Sequence, residues 1–186
     1  LIASIIAKKL AAGSKFVLID IPYGPGAKVT KSQAIKLKNK FLKIGKHFKL
    51  NLKIILTDGS QPIGNGIGPI LEVKDILRVL TNKNPPIDLE NKSIKLAGIL
   101  LEMLGKAKQG QGQNLAKEVL DSREAYKKFK QIIKEQNGNL NNLKQAKLIH
   151  KIKSSKSGRI KSIDNKKINQ LAKIAGSPAD KASGLY

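Results

Sequence analysis

From Ser4 to Ala12 the apolar positions Ile5, Ile6, Leu10 and Ala11 alternate with Ser4, Lys8 and Lys9 at helical spacing, and Gly13 follows as a natural residue just past a helix end. The period changes at Gly13. Phe16 to Ile21 is a short apolar run of strand type, closed by Pro22. Ser32 is placed to cap a helix running to about His47, with Ile35, Leu37, Phe41, Leu42 and Ile44 as its apolar positions. Leu50 to Leu56 alternates in part and is rich in Ile and Leu, which predicts a second strand. Strand, helix and strand in that order predict a βαβ unit and a parallel sheet, hence an α/β fold.

The next stretch, TDGSQPIGNGIGPILEV, carries Gly at 59, 64, 66 and 68 and Pro at 62 and 69, the density of a loop with imposed backbone geometry. Helices are predicted over about Leu71 to Leu80 and about Leu89 to Leu104, the second ended by Gly105. GQGQN reads as a flexible connector, and Leu115 to about Gln136 as one further amphipathic helix. Past Gly138 the texture changes: four Asn form a polar linker, Lys147 to Ile152 begins a strand pattern, and SGRIKSID reads as a turn and second strand. Asn165 is then predicted to cap a short helix, Lys166 to Ala175, before Gly176. A domain boundary is expected near residue 140.

Composition narrows the class. The 186 residues suffice for one sizeable core and an appendage, and the absence of Cys excludes disulfides and thiolate metal sites. No apolar run approaches the ~20 residues of a membrane span, and no secretory signal precedes the fold, so a cytoplasmic protein is the expectation. Leu1 opens in the middle of a helical pattern and SGLY closes without a terminating element; the chain reads as a piece cut from a longer polypeptide at both ends. The formal charge of +23 invites nucleic acid as a partner. Against it, Arg occurs only at 78, 123 and 159, aromatics make up 4%, and Lys is spread over almost every helix rather than gathered in one stripe.

Candidate chemistry concentrates at the start. Ser4 and Lys8 lie one helical turn apart and share a face. Lys28 stands at the tip of the YGPGAK loop, where Gly24 and Gly26 allow close approach of backbone to a ligand. A hydroxyl and two cations can thus converge on one polar or anionic ligand. The later loop lacks both the GxGxxG and GxxxxGK[ST] spacings of nucleotide-binding loops. His47 and His150 have no ligand partners at metal spacing and read as surface residues. Asp20 and Asp58 end strands, where acids of α/β enzymes can sit, but no motif assigns them a role.

Three segments, SIIAKKLAAG with DIPYGPGAK, LTDGSQPIGNGIGPILEV, and SGRIKSIDNKKINQLAKIAGSPADKASG, resemble the thymidine/AMP phosphorylase family, most closely its archaeal AMP phosphorylase branch. The resemblance implies a mixed α/β nucleoside-phosphorylase-type domain. Residues 1–12 would end a helical-domain segment, 13–140 form the C-terminal part of the α/β domain, and 141–186 begin a small α+β C-terminal domain. Ile5, Ile6 and Leu10 would then pack against a helical domain outside the chain. The implied activity is pentosyl transfer: phosphorolysis of AMP, and of CMP or UMP, to base and ribose 1,5-bisphosphate in nucleotide salvage, with a pyrimidine nucleoside phosphorylase as the alternative and a basic nucleic-acid-binding module as the alternative of another class. Ser4 and Lys8 would hold the base and Lys28 the 5′-phosphate; bacterial relatives carry an aromatic side chain there. Glu72 would help hold a monovalent cation. Phosphate is the implied co-substrate, with no organic cofactor, and the full-length protein is expected to be a homo-oligomer. The family's phosphate-binding loop and proton-donating Asp would lie before Ser4, leaving no catalytic group in this chain and the piece inactive alone.

Overall fold

The computed structural model describes residues 2–186. Seven helices and one two-stranded parallel sheet make up its regular structure, a mixed α/β architecture. The chain divides into two compact units, one of residues 1–61 with 93–116 and one of 62–92 with 117–186.

The first unit opens with α1, Ile2–Ala11, which ends in a turn at Gly13 (φ +66°). β1, Phe16–Tyr23, comes next. It does not stop at Pro22: in a two-stranded sheet each strand keeps an open edge, where a missing N–H costs no ladder bond. α2 spans Lys31–His47, and its cap is Thr30 rather than Ser32. Thr30 Oγ1 accepts from Gln33 N while Thr30 N donates to Gln33 Oε1, a reciprocal capping box that a lone Ser32 cannot match. β2, Asn51–Asp58, pairs with β1 in parallel, Val17 opposite Leu52 and Ile21 opposite Leu56. The predicted βαβ unit is present.

Ile6, Ile21, Ala34, Phe41 and Ile54 form the buried core, with Ile5, Leu10, Ile19 and Leu56 packed against it. Ile6 is 1% exposed. Ile6 is therefore not left exposed: one sheet face and α2 cover it, while Ile5 and Leu10 are only partly buried. Between α1 and the C-terminal part of α2 a groove of about 540 Å³ remains, walled by Ala3, Ile6, Ala7, Leu10, Ile44 and Phe48. In the same unit GQGQN is not a free connector, because Glu102 Oε1 accepts the N–H groups of Gly110 and Gly112 at 3.0 Å each.

In the second unit α3, Pro69–Thr81, begins with Pro at its first helical position, where no intrahelical N–H is needed. α4, Ile87–Met103, and α5, Gly112–Asp121, are divided between the units. Lys117 joins Glu90 of α4 (2.8 Å) to Asp121 (2.9 Å). The predicted helix from Leu115 to Gln136 is broken: α5 ends at Asp121 and α6 runs Glu124–Glu135. Arg123 at the break is left-handed (φ +63°), and Ser122 Oγ turns back to the Val119 carbonyl. α7, Asn165–Ile174, is capped by Asp164 instead of Asn165, the carboxylate accepting from Lys166 N and Lys167 N.

The two strands expected between 147 and 164 are absent. Alternation marks residues able to pair, but a strand also needs a neighbour to take its backbone groups. Leu148 (91% exposed), Ile152 (86%) and Ile160 (81%) lie in irregular chain without one. Among the described residues no helix is long and apolar enough to cross a membrane.

Candidate functional site

Parallel pairing sends β1 and β2 out at the same edge, the edge at which open α/β sheets hold ligands. Two loops leave there and are tied together. Gly59 N donates to the Tyr23 carbonyl at 2.8 Å, and Gly24 sits against Ser60, where a Cβ would lie 3.2 Å from the serine Cβ. The first loop closes on itself through Gly24 N to Val29 O (3.2 Å) and Ala27 N to Gly24 O (3.1 Å), and presents Lys28 to solvent. In the second, Asp58 Oδ1 accepts from Ser60 N (2.8 Å), and the backbone and side-chain bonds from Ser60 hold its carboxyl below the ordinary range.

α1 and β1 are joined by the short turn at Gly13, so they run in opposite directions and the start of α1 returns toward the exit edge. Ile6 and Ile21 accordingly share one buried cluster. Ser4 and Lys8 lie on the exposed side of α1, two residues either way from buried Ile6. The fold thus brings Ser4, Lys8 and Lys28 to one unit and turns all three outward. A hydroxyl and two ammonium groups, all exposed, suit a ligand with hydrogen-bonding and anionic parts. Asp20, by contrast, is engaged across the sheet, accepting from Thr57 Oγ1 at 2.7 Å. His47 and His150 are exposed as expected, and among the described residues no three His, Cys, Asp or Glu are grouped to hold a metal ion.

Glu72 belongs to the second unit. Its Oε1 accepts from Gly68 N at 3.1 Å and it sits in the first turn of α3. It is one part of a polar arrangement that pattern reading did not find. Gly64 N donates to Asp88 Oδ2 (3.1 Å), Asn65 N and Gly66 N both donate to Asp75 Oδ2 (2.7 Å each), and Ile67 N donates to the Leu185 carbonyl (2.9 Å). With Gly68 on Glu72, five successive amides of the Gly-rich loop each meet an acceptor. The loop is therefore not an anion cradle, because its N–H groups are already used. Gly68 (φ +135°) is required: a Cβ there would lie 2.5 Å from the Ser183 carbonyl oxygen. The signal for Asp75 was present in the sequence, since Asp75 and Val79 are one turn apart on the buried stripe of α3 and only one of them is apolar.

No protein-family model matches the chain. Curated relatives do. Over the whole of this chain it is 43% identical to a protein of Legionella pneumophila (strain Corby), 44% identical to one of Bradyrhizobium diazoefficiens and 42% identical to one of Sphingopyxis alaskensis, each named "Putative thymidine phosphorylase". The chain spans 36% of the length of each.

Proposed function

The chain belongs to the thymidine/AMP phosphorylase family, and on that premise we propose that it is part of a pentosyltransferase that cleaves the glycosidic bond of a nucleoside 5′-monophosphate, AMP first, with inorganic phosphate. Lys28 carries the choice of a nucleotide: a cation at the tip of a glycine-bearing loop, on the exit edge of a parallel strand pair, is suited to a 5′-phosphate. In the reaction a phosphate oxygen forms a bond to C1′ as the C1′–N bond breaks, and the electron pair leaves with the base. Ser4 and Lys8 hold the edge of that base from one face of α1, donating hydrogen bonds as negative charge accumulates on it. The phosphate site and the group that protonates the base belong to the part of the enzyme before Ser4. Residues 13–140 form the C-terminal part of its α/β domain and 141–186 begin a small C-terminal domain; the whole enzyme is a homo-oligomer of the archaeal AMP phosphorylase type, acting in nucleotide salvage in the cytoplasm.

A monovalent cation at Glu72 does not fit the local donor set. Glu72 Oε1 takes the Gly68 N–H, and the neighbouring loop turns amides, which repel a cation, rather than carbonyls toward Asp75. No step is routed through such an ion.

A pyrimidine nucleoside phosphorylase is the second reading, supported by the names of the relatives. Initial rates of the whole enzyme on AMP, adenosine and thymidine separate the two. Faster turnover of the unphosphorylated nucleosides overturns the assignment to AMP. A basic binding module without catalysis predicts instead salt-dependent retention on DNA or RNA with a slope of several phosphate contacts.

A further inference from the structure

Asp58 is the last residue of β2, and its carboxylate is tied to the turn that follows. Oδ1 accepts from Ser60 N at 2.8 Å, and the Ser60 hydroxyl bonds the same carboxylate. A carboxylate that takes the N–H two residues on fixes the path of the chain between them. The turn so fixed lies against the other exit loop. Gly59 N donates to the Tyr23 carbonyl at 2.8 Å, and a Cβ on Gly59 would lie 2.8 Å from Pro22 Cβ. A Cβ on Gly24 would meet Ser60 N at 3.3 Å and Asp58 Oδ1 at 3.4 Å.

Gly24 in turn governs Lys28. Its N–H donates to the Val29 carbonyl at 3.2 Å and its carbonyl accepts from Ala27 N at 3.1 Å, so Gly24 bonds the residues on both sides of Lys28. All these residues belong to the first compact unit. The far end of the loop has a separate anchor, the capping box of Thr30 at the start of α2. We infer that Asp58 is a positioning residue for Lys28: by fixing the 58–60 turn it sets where Gly24 stands, and through Gly24 the place from which the Lys28 ammonium reaches a phosphate. The inference rests on the 5′-phosphate role given to Lys28 above and adds to it a residue that acts through Lys28 alone.

The test is a double-mutant cycle in the whole enzyme with phosphate present, reading KM and kcat for AMP and for adenosine, the latter as substrate or as competitive inhibitor. Asp58→Ala removes the acceptor of both Ser60 bonds. It is expected to raise KM for AMP about 5- to 10-fold and to move the adenosine constant less than about 2-fold. Asp58→Asn keeps an oxygen that accepts from Ser60, and should bring KM for AMP back to within about 3-fold of the unsubstituted enzyme. With Lys28→Ala already present, Asp58→Ala should add nothing, because the group it places is gone. An unchanged KM for AMP overturns the inference. So do equal losses on AMP and adenosine, an Asn variant as poor as the Ala, or full additivity with Lys28→Ala. Should Asp58→Ala fail to fold, Ser60→Ala removes the hydroxyl bond and leaves the backbone one. A rise of about 2- to 3-fold in KM confined to AMP then supports the inference, and an unchanged KM overturns it. Lys28→Ala alone tests the reading beneath: if KM for AMP stays the same there, the 5′-phosphate assignment itself fails, by a result that no Asp58 variant can produce.

Discussion

The Thr57 hydroxyl donates to Asp20 Oδ1 at 2.7 Å, linking β2 to β1 by a side-chain bond on the sheet face opposite Ile21 and Ile54. A hydrogen bond to a charged, part-buried carboxylate contributes about 1.5–3 kcal/mol. Thr57→Val keeps the shape and β-branching and is expected to lower stability by about that amount in urea unfolding. A loss under about 0.5 kcal/mol would show that Asp20 finds equivalent partners elsewhere. The same bond explains why Asp20, at a strand end, serves the sheet.

Lys28→Ala in the whole enzyme should reduce kcat/KM for AMP by ~10–100-fold, the worth of one charge-assisted contact to phosphate, mostly through KM. Turnover of adenosine or thymidine, which lack the phosphate, should barely change. Equal losses on both kinds of substrate would remove Lys28 from the 5′-phosphate role.

The 186-residue chain alone should release no base from AMP. Positioning of the attacking phosphate is worth ~7–11 kcal/mol, and protonation of the departing base a further ~10²–10⁴-fold, and both depend on groups assigned to the rest of the enzyme. Base release by this chain near the rate of the whole enzyme would refute that division of the site.

The N–H groups of Lys167 and Lys166 hold the Asp164 carboxyl below its ordinary value of 3.8. A lowered folded value means that the capping contribution is complete above that ordinary value and is lost as pH falls through the lowered one. Helix α7 should therefore loosen only under acid conditions. Asn caps helices about as well as Asp and does not titrate there, so Asp164→Asn should keep α7 at neutral pH and abolish the acid loosening. Amide exchange in α7 measured at neutral and acid pH decides; parallel loss in both proteins would place the cause outside the cap.

Arg123 adopts φ +63° at the break between α5 and α6, a conformation that costs an ordinary side chain roughly 1–2 kcal/mol and Gly almost nothing. Arg123→Gly should leave thermal stability unchanged or raise it by up to about 1 kcal/mol, after the entropy of a freer unfolded chain is subtracted. A clear loss would mean that the arginine side chain contributes more than its backbone strain costs.

Local pattern was legible wherever a local cause decides the outcome. The period change at Gly13, the βαβ order and the helical stripe of Phe41 and Ile44 arise from neighbours within a few residues. Pattern reading failed where a partner distant in sequence decides. Asp75 pairs with Tyr186 over more than a hundred positions, Glu102 reaches forward to Gly112, and no periodicity encodes either. Residues Lys147 to Ile163 failed in the other direction: the strand pattern is there, and among the described residues no strand pairs with it. For Ser4 and Lys8 the shared exposed face of α1 was readable from helical spacing, and for Lys28 the exposed loop position was readable from the neighbouring glycines.

The irregular run from Lys144 to Lys161 also decides how the chain meets a protease. Its backbone is outside any helix or ladder, and Lys147, Lys151, Lys153, Lys156 and Arg159 are all exposed, so trypsin will find its first accessible bonds there. Cleavage would not release α7 and the 181–186 strip. Ile67 and Leu185 exchange two backbone hydrogen bonds, Ile70 N reaches the Lys181 carbonyl, and Tyr186 is anchored on Arg78 and Asp75. A nicked chain should migrate as one species under native conditions and as two pieces in detergent, because those distant bonds, more than the covalent thread, keep the last helix in place.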